Sequence, residues 1–263
     1  LEKIAPLAAI DDARSTLTSL RMVKSPGEID LIQKATDATI AAHRAAWKRA
    51  KAGLYEYQVA ATMLEAMLNR GCERPAYTPI VGAGFQSTVL HYAENSHRMD
   101  TGQVLLMDVG GEYSLYATDI TRTIPVNGKF TPRQREIYEI VLGAQKAALA
   151  AAKPGMSLAR TGPHSLHLIA YEYINTHGKD REGNPHGKYF IHGLGHHVGL
   201  EVHDPAVSDT PLKPGMVFTL EPGIYIPDEQ IGIRIEDMVL VTETGAKLLS
   251  GALPRDPDDL ERA

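Results

Sequence analysis

The stretch GQVLLMDVG at residues 102–110 returns in the second half of the chain as GMVFTLEPG at 215–223, so Gly102-x-Val104-x-x-x-Asp108-x-Gly110 is matched by Gly215-x-Val217-x-x-x-Glu221-x-Gly223. In each copy a carboxylate closes a short apolar run that reads as a buried strand. An acid is rarely placed there unless something pairs with it. Each half supplies a second acid on a following strand-like run, Asp119 in TDITRT and Glu236 in IRIED, and a histidine upstream, His91 and His203. Four convergent carboxylates cannot all stay ionised in a low-dielectric pocket without a counter-charge, so a bound cation explains what packing alone does not.

The flanking segments repeat as well. Ser25-Pro26-Gly27-Glu28 combines a serine cap, a proline in the first turn and a glutamate three residues after the cap, which predicts a long helix ending near Gly53. A second helix over 56–70 places Val59, Met63, Leu64, Met67 and Leu68 on one face, with Gly71 as its stop. Strands follow near 78–82, 103–109 and 119–126. Thr131-Pro132-x-Gln134 then repeats the capping logic and launches a helix through Ala151, broken at Lys153-Pro154-Gly155 as the first is at Lys51-Ala52-Gly53. A helix over 163–177, a polar loop KDREGNPHGK and short strands at 198–203, 216–221, 232–241 and 247–249 complete the reading. Each half therefore runs helix, break, helix, then acid-bearing strands. That is an α+β fold of two pseudo-symmetric halves, with helices packed on a curved antiparallel sheet. Residues 1–24 read as a connector from an upstream domain, and 25–263 as one domain.

Composition excludes several function classes. A 43% hydrophobic and 22% charged chain can bury a sizeable core, and the net charge of −5, without a basic stripe, argues against a nucleic-acid partner. Cys72 is the only cysteine, which rules out an intrachain disulfide and a thiolate metal site. No apolar run has the length of a membrane span and the N-terminus lacks a signal-peptide pattern, so the expectation is a cytoplasmic protein with no membrane partner.

The densest chemistry lies in His192-Gly-Leu-Gly-His196-His197-x-Gly199-Leu-Glu-Val-His203-Asp204. Glycines there let backbone and substrate approach closely, and several imidazoles are offered at once. Imidazole with four carboxylates suits two divalent ions of Mn²⁺ type, with Co²⁺ or Zn²⁺ as alternatives. His197 is expected to be a partly exposed side chain.

At these residues the chain resembles the pita-bread metallopeptidases, and within them the aminopeptidase P group. VKSPGEIDLIQKA, LHYAEN, MDVGGEY, TDITRTIPVNGKFT, HGLGHHVGLEVHD, LEPGIYI and GIRIED occur in the family's order. The resemblance implies that 25–263 is a pita-bread catalytic domain whose metal ligands are Asp108, Asp119, His196, Glu221 and Glu236. Asp119 and Glu236 would bridge the ions, Asp108 completing one site and His196 and Glu221 the other. His91, His192 and His203 resemble substrate-contacting histidines, and Tyr225 and Arg234 the residues beside the ligands. Arg234, two residues before Glu236, is expected on the same strand face, holding that acid in its bridging orientation.

The implied reaction is attack of a metal-bridging hydroxide on the bond between an N-terminal residue and a following proline. Glu221 would shuttle the proton, His203 stabilise the oxyanion with His91 beside it, and His192 line the pocket for the second residue. Prolidase, which cleaves only Xaa-Pro dipeptides, shares fold and metals and is the nearest alternative. A non-catalytic pita-bread binding module is a further reading, and a homo-oligomer is left open.

Overall fold

In the computed structural model, which describes residues 11–206 and 209–262, a first helix α1 (Arg14–Met22) leads into α2 (Pro26–Arg49). Residues 1–10 of the expected connector lie outside the described residues. The α2 start is built as the sequence predicts: the Ser25 hydroxyl accepts from the Glu28 amide, and the Glu28 carboxylate accepts from the Ser25 amide at 2.8 Å. Helix α2 buries Ile32, Ala35, Thr36, Thr39, Ala42, His43 and Ala46, a face of small side chains that lets it lie close to the strands beneath. It pairs with α3 (Glu56–Leu68) across the Lys51-Ala52-Gly53 break, where Gly53 has φ +90°.

The first half continues through β1 (Arg74–Pro75), β2 (Ile80–Ala83), β3 (Val104–Val109), β4 (Gly111–Tyr113), β5 (Tyr116–Ala117) and β6 (Ile120–Pro125). The second repeats the plan with α4 (Pro132–Ala151), α5 (Leu166–His177), β7 (Val217–Leu220), β8 (Gly223–Ile226), β9 (Ile231–Arg234), β10 (Asp237–Val241), β11 (Ala246–Leu248) and a last short helix α6 (Pro257–Leu260). Helix α4 carries the same capping box at Thr131, and the break after it again rests on a left-handed glycine, Gly155 at φ +90°. The strands pair antiparallel in the orders β2-β3-β6, β1-β4-β5, β7-β10-β11 and β8-β9.

Two registers set where the acids lie. In the first half Asp108 on β3 is opposite Thr121 on β6, and Asp119 immediately precedes β6. In the second, Leu220 on β7 is opposite Asp237 on β10, so Glu221 leaves one strand where Glu236 enters the other. Each half thus presents its pair of acids at one end of an antiparallel ladder. The ladders meet across the seam, where the Glu236 amide donates to Thr121 O at 3.0 Å and Thr123 Oγ1 donates to Arg234 O at 3.1 Å.

Three expectations are corrected. Residues 198–203 form a loop rather than a strand, because their backbone turns on itself, Gly199 N donating to Glu201 O and Asp204 N to His197 O. The expected run 232–241 is two strands, interrupted at Ile235 and Glu236 where the chain crosses the seam. Helix α5 begins at Leu166, capped by the Ser165 hydroxyl that accepts from Leu168 N, rather than near Pro163. Among the described residues no helix is long and apolar enough to cross a membrane.

Candidate metal centre

Asp108, Asp119, His196, Glu221 and Glu236 line one cavity of about 260 Å³, together with His91, His192, His203 and Arg234. Within it Asp119, His196 and Glu236 offer donor atoms that all lie within 4.8 Å of one another. His196 Nε2 lies 3.4 Å from Asp119, 3.5 Å from Glu221 and 3.9 Å from Glu236, so one imidazole from the second half reaches acids of both halves. Its Nδ1 faces the His197 carbonyl at 3.2 Å, which fixes the proton on that nitrogen and leaves Nε2 for a cation. Gly195 allows the close approach: a Cβ there would run into the Thr219 carbonyl, and the adjoining His196 amide donates to Thr219 Oγ1 at 3.2 Å.

Protonation follows the crowding. Burial pushes Glu236 well above the usual carboxylate range, with Asp119, Glu221 and Asp108 adding repulsion. Burial likewise raises Glu221 to about 7 and Asp108 to about 6. Burial works to raise Asp119 too, but the His196 and Tyr77 contacts outweigh it and hold it low. His196 resists burial because Asp119 and Glu221 flank it, and rises to about 9. Among the described residues the buried Glu236 Oε1 atom has no hydrogen-bond partner, while its other oxygen accepts from Thr121 Oγ1 at 2.7 Å. An unpartnered carboxylate oxygen beside three further acids and an imidazole fits a divalent cation, since oxygen donors with one nitrogen are what such ions take.

Arg234 does not grip Glu236 directly as its spacing suggests but reaches it through Thr121, its Nε donating at 3.2 Å to the Thr121 hydroxyl that in turn donates to Glu236. Strand β9 ends at Arg234, the alternation is lost over the two residues that cross the seam, and the guanidinium turns to Asp108 at 2.5 Å. From there a chain runs outward. Arg234 Nη1 donates to the Tyr225 hydroxyl at 2.8 Å, and that hydroxyl donates to His192 Nε2 at 2.8 Å. His192 is kept neutral, lowered to about 3 by burial and by Arg234, with its Nδ1–H turned to Gly193 O. Tyr225 and Arg234 are thereby the supports of His192 and Asp108.

His91 and His203 stand at the mouth, both exposed. The LHYAEN loop is fastened so that His91 can stay there: Asn95 accepts from Val81 N and donates to Pro79 O, and the Tyr92 hydroxyl donates to the buried Glu56 at 2.7 Å. The His203 ring meets His196 edge-on at 4.3 Å. His197, by contrast, is buried at 4% exposure and not partly exposed; its backbone bridges Phe218, which turns the side chain inward, and burial lowers it to about 4. One residue at the centre carries no sequence signal. The Tyr77 hydroxyl contacts both Asp108 and Asp119, coming from an irregular segment before β2 with no repeat or motif to mark it.

A second cavity of about 290 Å³ adjoins the first. The two share His91, Asp108, Asp119 and His203, but the second is otherwise lined by Tyr77, Thr78, Ile80, Ala93 and Val202.

Residues 30–243 match the profile of Metallopeptidase family M24. The chain is 38% identical over 272 residues to the Xaa-Pro aminopeptidase of Escherichia coli, covering 97% of this chain and 62% of that protein. It is 44% identical over 245 residues to the Xaa-Pro dipeptidase of Pyrococcus furiosus, covering 92% and 66%. The solved proline aminopeptidase P II from Yersinia pestis superposes with a TM-score of 0.90 at 37% identity, covering 97% of this chain and 63% of that one. The fold is accordingly the pita-bread fold of aminopeptidase P structures. The chain spans somewhat under two thirds of the length of the first curated relatives it matches, 62% and 65%.

Proposed function

Because the chain belongs to metallopeptidase family M24, we propose that it hydrolyses the peptide bond between an N-terminal residue and a following proline. The observation that carries this reading is the convergence of Asp108, Asp119, His196, Glu221 and Glu236 from both halves on one cavity edged by His91, His192 and His203. Those five residues would hold two divalent cations, Mn²⁺ in our reading with Co²⁺ or Zn²⁺ as alternatives, which when bound supply the charge that polarises a carbonyl and acidifies a water.

The side chains divide the remaining work. Glu221 takes the proton of the attacking water and delivers it to the leaving proline nitrogen, which as a tertiary amide has no proton of its own. His203 donates to the developing oxyanion, with His91 beside it. Glu221 and His192 line the first cavity and not the second, so the proline sits on their side of the scissile bond. The side chain of the first residue then enters the second cavity, between Ile80, Ala93 and Val202. His192 is kept neutral by burial and Arg234 and is held in place by Tyr225, which suits it to pack against a proline ring rather than to carry a charge. A cytoplasmic location and a homo-oligomeric state accord with this reading.

The test is hydrolysis by the purified, Mn²⁺-loaded chain of an Xaa-Pro-Yaa tripeptide and of an Xaa-Pro dipeptide side by side. Release of the first residue from the tripeptide is expected, and Asp119→Asn is expected to abolish it while leaving the fold in place. Cleavage of the dipeptide with the tripeptide left intact would instead establish the dipeptidase reading, the alternative that the 44% identity to a Xaa-Pro dipeptidase brings in.

A further inference from the structure

Ser25, Pro26 and Glu28 of the VKSPGEI motif are accounted for by the helix start, but Lys24 is not. Its side chain is 1% exposed, an uncommon place for a lysine, and its Nζ meets Asp204 Oδ2 at 3.2 Å. The Asp204 carboxylate is equally buried, and its other oxygen accepts from Arg21 Nη2 at 2.5 Å. The Lys24 backbone is itself fixed, its amide donating to Gly215 O at 2.9 Å while Val23 bridges Met216, just before the strand that leads to Glu221. Asp204 closes the 197–204 loop by donating its amide to His197 O at 2.9 Å. Packing under the loop is tight: a Cβ on Gly199 would meet Asp204 Oδ2 at 2.6 Å and Lys24 Cε at 3.0 Å. His203 is the residue bonded to Asp204. Among the described residues no hydrogen bond holds the His203 ring, so its place over His196 depends on where Asp204 is anchored.

We infer that Lys24 and Arg21 are positioning residues for His203, acting through the buried carboxylate of Asp204 that both of them grip. This rests on the oxyanion role proposed for His203. A lysine and an aspartate withdrawn from water gain little net stability from each other, so the pair is kept for the geometry it imposes. An exposed imidazole on an unanchored loop would sample many positions, and a donor displaced by about an ångström loses much of its effect on rate.

The test uses the Mn²⁺-loaded chain and an Xaa-Pro-Yaa substrate, with Lys24→Met, Asp204→Asn, their double variant, Arg21→Gln and His203→Asn. Lys24→Met and Asp204→Asn are each expected to lower kcat roughly tenfold or more, with KM within about twofold and the metal content of the parent. The double variant is expected to be no worse than either single, because both break one linkage. Should Lys24→Met fail to accumulate folded, Arg21→Gln, at a position 26% exposed, carries the test through a smaller loss of kcat. Parental kcat in these variants while His203→Asn is impaired would overturn the inference, as would additive losses. If the parent itself cleaves no Xaa-Pro-Yaa peptide, the functional reading falls but the anchorage is still decided by hydrogen exchange of amides 198–204. Faster exchange in Lys24→Met supports it, and parental exchange overturns it.

Discussion

The Tyr77 hydroxyl touches Asp108 and Asp119 at once, yet has one proton to give. It therefore ties the two acids of the first half together, while the other oxygen of Asp108 accepts from Arg234 and the other oxygen of Asp119 faces His196. Tyr77→Phe keeps the ring and removes the tie. Outer partners of metal-binding side chains typically contribute about 10–100-fold to affinity or activity, and a loss of Mn²⁺ affinity in that range is expected by titration calorimetry. Unchanged affinity would mean that Arg234 alone places Asp108. Asp108 and Glu221 were legible because each ends an apolar run in a repeated pattern, where a lone carboxylate has no packing explanation, and Asp119 and Glu236 because each stands on the strand-like run that follows. Tyr77 was not, since an irregular segment has no period to read. His197 and Arg234 misled for related reasons: burial and side-chain direction depend on partners distant in sequence, Phe218 and Asp108 here, that local spacing does not encode.

Strand β6 holds the floor of the site through Arg122, which is fully buried. Its Nη1 donates to the Glu236 carbonyl at 2.6 Å and to Thr121 O, its Nη2 to Asp237 at 2.7 Å, and its Nε to Pro254 O. One guanidinium thus joins the first-half strand to the crossing point of the second and to the C-terminal segment. Arg122→Met would leave the buried Asp237 carboxylate to Ser250, Gln145 and the more distant guanidinium of Arg255 at 3.5 Å. The expected cost is about 3–5 kcal/mol, read as a lower urea midpoint at unchanged slope. Adding Asp237→Asn to that variant should recover part of the loss, and no recovery would show that the carbonyl contacts outweigh the ion pair. Helices α2 and α4 were readable to within a few residues because capping boxes mark their starts. The second-half strands were less so. A run rich in valine and isoleucine reads as one strand whether or not the backbone leaves its ladder midway, and the crossing at Ile235 and Glu236 is dictated by Thr121 in the other half.

At the scale of the molecule, the repeated pattern reveals two like halves but not the registers that bring their acids to a common seam, since those pairings join residues near 120 to residues near 235. The helical layer around that seam hides a different set of ionisable groups. His43 on α2, His167 on α5 and His186 just beyond it are all lowered from 6.5 chiefly by burial, His43 to about 3. Each is neutral in the folded chain and takes up a proton on unfolding. Their stabilising contribution is therefore present in full above about pH 6.5 and is lost as the pH falls below it toward the folded-state values. His43 donates from Nε2 to Ile120 O at 3.0 Å, and among the described residues its Nδ1 has no partner. A glutamine can make the one bond and cannot take the proton. Between pH 7 and pH 5 the parent is expected to lose about 2 kcal/mol of unfolding free energy through His43, a share absent from His43→Gln. Urea titrations of both proteins in the same metal state cancel the contribution of the acids at the seam. Parallel pH slopes would show that His43 stays uncharged in the unfolded chain as well, or is reached by water in the folded one, and would remove burial of the helical layer as the source of acid sensitivity.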